Sequence, residues 1–139
     1  MKVLRASGVV AGLAVAGAML SAPVAQAVVP LSCDGGQPVA TDTITAKSTT
    51  YGSIIIELRY SPAHACAWGR IRGGRIGDSV VVSRRWNGNP SDVEYDLGKA
   101  TITSGSDVFT PWFDDDGHTM SACAENDSTQ TVYACTGWY

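Results

Sequence analysis

The chain has 139 residues, of which 45% are hydrophobic and 17% charged, and its formal net charge is −3. That length suits one folded domain, not several. The acidic balance argues against general nucleic-acid binding, which depends on a basic surface that displaces counterions from phosphates.

The N-terminal residues address compartment before fold. Lys2 and Arg5 make a short positive region, Ala6 to Leu20 is small or apolar throughout, and Ser21 to Ala27 ends in Ala25-Gln26-Ala27. This order predicts a secretory signal peptide over residues 1–27, leaving residues 28–139 as a single secreted, extracellular β domain. The apolar stretch is short for a membrane span, which needs about 20 such residues. No later segment replaces it, so no membrane association is expected after cleavage. Beyond Ala27 eight basic and thirteen acidic residues remain, a net charge of −5. They segregate: residues 59–85 are net basic, and residues 92–127 are acidic with Lys99 as the only base.

Short apolar runs separated by Gly, Asn, Asp and Ser predict many strands and tight turns, and no segment has a helical period with caps. Residues 28–40 read as a loop. Thr41–Lys47 is rich in threonine and predicts an edge strand. Tyr51–Tyr60 is the clearest strand, with Ile54, Ile56, Leu58 and Tyr60 on one face and Glu57 and Arg59 on the other; Pro62 ends it. Ala65–Arg72 follows, with Cys66 and Trp68 on one face and the small residues Ala65, Ala67 and Gly69 on the other. That small face leaves room for close approach of another backbone or a large ring. Turn residues flank Ile76. Strands are then expected at Ser79–Trp86, at Glu94–Thr103 with a bend at Gly98, and at Val108–Phe113. His118–Glu125 and Gln130–Trp138 read as a terminal hairpin around Asn126-Asp127-Ser128-Thr129. The fold class is therefore all-β, a small disulfide-stapled sandwich or barrel of about seven or eight short strands.

Cys33, Cys66, Cys123 and Cys135 are an even set in a short exported chain, which predicts two disulfides. Cys123 and Cys135 sit at similar distances from the hairpin turn and can face each other across the ladder. That leaves Cys33 for Cys66. No C-x-x-C pair suggests a metal site.

Few residue sets here suit catalysis. Ser61 and His64 are close in sequence, but no G-x-S-x-G elbow presents the serine. Asp114-Asp115-Asp116-Gly117-His118 lacks the alternating ligand spacing of an EF-hand and reads as an acidic turn. No catalytic residue, metal or cofactor is assigned. The side chains to watch for binding are Trp86, Trp112, Phe113, Trp138 and Tyr139, because rings on a rigid sheet stack on sugars or anchor a protein partner.

The run Glu57-Leu58-Arg59-Tyr60-Ser61-Pro62, followed by Cys66-Ala67-Trp68-Gly69-Arg70, resembles the signature of a secreted streptomycete family catalogued as domain of unknown function 2690. The resemblance takes in Cys33-Asp34-Gly35-Gly36-Gln37-Pro38, Phe109-Thr110-Pro111, Ala122-Cys123 and Ala134-Cys135-Thr136-Gly137-Trp138-Tyr139, nearly all of the mature chain. It implies an actinobacterial, extracytoplasmic domain and no particular reaction. The signature reads as fold-forming, with Arg59 and Arg70 expected to pair with carboxylates on adjacent strands.

The leading expectation is a secreted, non-enzymatic binding or interaction module, its partner a secreted protein or a cell-wall glycan. One alternative is a secreted inhibitor of a protease or glycosidase, since Arg59-Tyr60-Ser61 resembles an element of bacterial amylase inhibitors. The other is a small envelope-active hydrolase using the 114–118 cluster.

Overall fold

The computed structural model describes residues 33–139. The expected signal peptide lies outside the described residues. Nine strands follow in chain order: β1 Ile44–Tyr51, β2 Ile54–Ser61, β3 Cys66–Arg72, β4 Asp78–Arg85, β5 Val93–Thr101, β6 Val108–Phe109, β7 Phe113–Asp114, β8 Thr119–Asn126 and β9 Thr131–Cys135. They form two antiparallel sheets. The first has the order β1-β2-β3-β6, with β7 also on β3; the second has the order β5-β4-β8-β9.

The sheets pack face to face through the residues that alternate inward. Ile54, Ile56 and Leu58 of β2, Ala67 and Ile71 of β3, Val80 and Val82 of β4, and Met120, Ala122 and Ala124 of β8 share one buried cluster with Ile102 and Phe113. This is the period-2 pattern of a two-layer sandwich. The small face of β3 is where the layers come closest. A Cβ placed on Gly69 would lie 2.7 Å from Val80 Cγ2 and 2.9 Å from Val82 Cγ1, so the missing side chain lets β4 approach. Across the core, a Cβ on Gly98 would lie 2.5 Å from Phe113 Cζ. Phe113 therefore fills the space above that glycine.

A smaller cluster lies on the other side of β3. Cys33, Cys66, Trp68 and Trp112 pack there, joined by the Cys33–Cys66 disulfide. It fastens the N-terminal loop over the outward face of the first sheet. The second disulfide joins Cys123 to Cys135, directly opposed in the β8–β9 ladder with Cα atoms 4.0 Å apart. Both bonds form the pairs expected from the hairpin.

Several boundaries differ from the sequence expectation. Tyr51 belongs to β1, not β2, because Gly52-Ser53 turns the chain with Gly52 at φ 57°. The strand expected over 108–113 is split into β6 and β7. Pro111 has no N–H to give a ladder, and Thr110 bonds instead: the Gly69 N–H donates to Thr110 Oγ1 at 3.0 Å, and the Thr110 N–H donates to the Gly69 carbonyl at 2.8 Å. This split raises the strand count to nine. The bend in β5 falls at Tyr95–Leu97, not at Gly98. Val82 pairs with Gly98 and Arg84 with Glu94, so three residues oppose Ser83, and Asp96 takes a positive φ of 53°.

All four sheet edges are interrupted. β1 carries an extra residue at Ala46, β5 bulges at Tyr95–Leu97, β9 carries an extra residue at Tyr133, and the β6–β7 edge is broken at Pro111. After β9 the chain stays on β8. The Thr136 N–H donates to the Ala122 carbonyl, and Tyr139 and Met120 exchange both backbone bonds.

Candidate functional site

The signature segment occupies two paired strands, and strand alternation sorts it by face. Leu58, Ala67 and Gly69 turn into the core. Glu57, Arg59 and Ser61 on β2 oppose Arg70, Trp68 and Cys66 on β3 across the outward face. Glu57 is buried and accepts from Arg70 Nε at 2.6 Å and from Arg72 Nη2 at 3.1 Å. Burial alone would raise its pKa. The hydrogen bond and charge of Arg70, then those of Arg72, outweigh burial and hold the carboxyl below its usual range. The expected carboxylate partner for Arg70 is thus Glu57. Arg59 differs: among the described residues its guanidinium donates only to hydroxyls, to Thr43 Oγ1 at 3.0 Å and to Thr45 Oγ1. Burial and the neighbouring Arg70 charge both lower its pKa. Trp68 is part of the disulfide cluster on this face, not of the main core. Pro38, Ala40, Thr43, Arg59, Trp68, Arg70 and Phe109 line a shallow groove of about 210 Å³.

The fold also brings Ser61 and His64 together with Asp42. Ser61 Oγ lies 2.7 Å from Asp42 Oδ1 and 2.8 Å from His64 Nδ1. The wiring is not that of a nucleophilic triad, in which histidine stands between serine and carboxylate. Here the serine is central and fully buried. Asp42 is held ionised by the Ala63 N–H first and the Ser61 hydroxyl second, so the single serine proton points to Asp42. His64 then supplies an N–H to the serine oxygen. The set fastens the β2–β3 turn to the N-terminal loop.

The five aromatic residues singled out in the sequence have four different fates. Trp112 is 2% exposed, wedged against the Cys33–Cys66 disulfide and edge-on to Trp68 at 6.3 Å. Phe113 is buried above Gly98. Neither ring presents a binding surface, because the tight glycine contacts at 36 and 98 draw both inward. Trp86 is exposed but held by the Arg84 guanidinium at 4.4 Å and, edge-on, by the His118 ring at 4.5 Å. Tyr139 is exposed and packs edge-on to Tyr60 at 5.4 Å.

Trp138 is different. Arg85 covers one face of its ring at 3.9 Å, and the remainder walls a groove of about 270 Å³ on the outward face of the second sheet. The opposite wall is Tyr95, 72% exposed on the β5 bulge, and Val132 stands at the rim. Along the groove lie Val81, the Cys123–Cys135 disulfide, the hydroxyl residues Ser83, Ser121 and Thr136, and the acids Asp96 and Glu125. Lys99 fixes one end by bridging Glu125 and Asp127 at 2.5 Å each. Tyr95 was not legible as a site residue, since it reads as one more strand aromatic. Only the positive φ of Asp96, a property asparagine and aspartate tolerate, pushes it outward.

The acidic turn is divided by burial. Asp116 is exposed, while Asp115 is 8% exposed and its Oδ1 has no hydrogen-bond partner. Burial, and secondarily the Asp114 charge, push the Asp115 carboxyl up to about 7 against the opposing pull of Arg84. His118 Nδ1 accepts from the Asn87 N–H at 3.1 Å. Among the described residues no three His, Cys, Asp or Glu side chains converge as a metal site.

Fold and surface together define a disulfide-stapled β-sandwich, with an arginine-rich outward face on one sheet and an aromatic-walled groove on the other. The chain belongs to the family described as protein of unknown function (DUF2690), matched over residues 31–135 and so spanning all four cysteines. No curated protein and no solved structure matches it.

Proposed function

We propose that this domain works outside the cytoplasm as a non-enzymatic binding module, and that the groove between Tyr95 and Trp138 takes a glycan of the cell wall. The observation that carries this reading is the combination of two aromatic walls with hydroxyl and carboxylate side chains on a disulfide-braced sheet. Aromatic faces stack on the apolar faces of sugar rings, and serine, threonine and carboxylate oxygens serve sugar hydroxyls. The groove is preformed, so little side-chain entropy is lost on binding. The leader-like N-terminal sequence and the two disulfides favour an exported protein, since disulfides persist in oxidising compartments.

The test is retention of the oxidised domain on purified cell wall, followed by titration with soluble wall oligosaccharides. Tyr95→Ala and Trp138→Ala should each weaken binding by about tenfold or more, and a panel of glycan, ester and peptide substrates should show no turnover. Binding that is unchanged in both variants would sink the reading.

The inhibitor reading draws on the same tyrosine. Tyr95 projects from a bulged, sheet-anchored segment, as an inhibitory anchor would. A purified protease or glycosidase inhibited by the parent and not by Tyr95→Ala, with no retention on cell wall, would favour it.

A further inference from the structure

The arginine-rich face lies on the other sheet from this groove, and its chemistry is different. Arg59, Arg70 and Arg72 lie on this face; among the described residues Arg70 and Arg72 share the carboxylate of Glu57, and Arg59 bonds only threonine hydroxyls. The local charge is therefore unbalanced toward positive, although the whole chain is acidic. Glu57 engages Arg70 through Nε alone, and among the described residues the terminal nitrogens of Arg70 carry no hydrogen bond. Arg59 stands opposite Trp68 and diagonal to Arg70, a spacing of about 7–8 Å within reach of two long side chains. Two threonines hold its guanidinium in place.

Arg59 is partly withdrawn from water beside the like charge of Arg70, its bonds go to neutral hydroxyls, and the Glu57 charge offsets this only in part. An incoming anion would relieve both terms. Glu57 already shows the preferred geometry, a planar carboxylate bridged by two guanidiniums. Next to the arginines, Trp68, Phe109, Pro38 and Ala40 supply apolar walls, and Phe109 is exposed directly opposite Arg70.

We infer that the outward face of the first sheet is a second binding site, for an organic carboxylate with an apolar body. Arg59 and the terminal nitrogens of Arg70 hold the carboxylate, and the apolar body lies along the exposed ring of Phe109, against the small accessible part of Trp68. The C-terminal residue of a peptide ending in an apolar side chain belongs to this class. The groove of about 210 Å³ suits a group of that size. Half of the sequence signature then has a role besides folding, since its inward residues build the core and its outward ones build this site.

The experiment is an NMR titration of the oxidised mature domain, read at the Arg59 Nε–H and the Trp68 indole N–H. The probes are N-acetyl-leucine, its amide and inorganic phosphate. The acid should give saturable shifts at both groups, and the amide should bind about tenfold more weakly or worse, because it lacks the charge. Arg59→Gln should weaken the acid by a similar factor, Arg59→Lys by less, and Phe109→Ala should weaken the acid without affecting the fold. Tyr95→Ala should leave the titration unchanged, which separates this site from the glycan groove. Equal binding of acid and amide would overturn the inference. So would phosphate binding as tightly as the acid, or no saturable shift up to about 20 mM. Should Arg59→Gln fail to fold, the Arg59→Lys and Phe109→Ala titrations decide: acid binding unchanged in both refutes the site.

Discussion

Gly69→Ala isolates the closest contact between the two layers. The new methyl would meet Val80 Cγ2 at 2.7 Å, Val82 Cγ1 at 2.9 Å and Ala122 Cβ at 3.3 Å. Two terms favour the variant: about 0.8 kcal/mol for burying a methyl-sized group and about 0.5–1 kcal/mol for restricting the unfolded backbone. Against them stands overpacking, which costs about 1–3 kcal/mol where neighbours cannot yield. Both valines are fully buried and stiff at χ1, and they belong to a strand paired on both sides. The overpacking cost should therefore sit near the top of its range, about 3 kcal/mol, for a net loss of about 1–2 kcal/mol, or several degrees in Tm. The assay is a urea or thermal melt of the oxidised protein. Val82→Ala removes one of the clashing methyls, so the double variant should lose less than the sum of the singles. A Gly69→Ala protein as stable as the parent would refute the claim that this glycine sets the distance between sheets.

Three further outcomes are expected. Trp68→Ala should destabilise by about 3–5 kcal/mol in denaturant melts, because the ring is buried in the cluster of the Cys33–Cys66 disulfide and Trp112; a shift under about 0.5 kcal/mol would free it of any packing role. Asp115→Asn should match the parent near pH 4 and exceed it at pH 8–9. The Asp115 pKa is raised on folding, so the stability it contributes is complete below its ordinary value of 3.8 and is lost as pH rises through about 7. Melts in which the gap between the two proteins does not widen with pH would count against a neutral, buried carboxyl. Replacing both Cys33 and Cys66 by alanine should cost more than the same change at Cys123 and Cys135. The links span 33 and 12 positions, and chain entropy assigns them about 3.8 and 2.9 kcal/mol, with packing around Trp112 added to the first. Equal melting midpoints for the two double variants would refute this ordering.

Local rules made much of the fold readable. The alternation in Ile54-Ile55-Ile56-Glu57-Leu58 gave both faces of β2, and the polar turn after Asn126 gave the terminal hairpin, where Asn126 Oδ1 accepts from the Thr129 N–H. The cysteine pairing followed from that hairpin. What was not readable depends on long-range geometry. The inward turn of Phe113 requires Gly98, fifteen positions away in another sheet, and the outward turn of Tyr95 requires a bulge opposite Ser83. Arg59 and Arg70 looked alike as basic strand residues. Only the register, which sets Glu57 opposite Arg70 and Trp68 opposite Arg59, distinguishes them.

The interrupted edges limit how this domain can meet another molecule. A partner that adds a strand needs a run of unpaired, evenly spaced backbone groups, and each sheet edge here loses that spacing within a few residues. Fibril-like stacking of copies is hindered for the same reason. Contact with another molecule would fall to side chains and not to backbone ladders. Substitutions at exposed outward positions such as Tyr95, Phe109 and Val132 can therefore change the surface chemistry without disturbing the ladders that hold the molecule together.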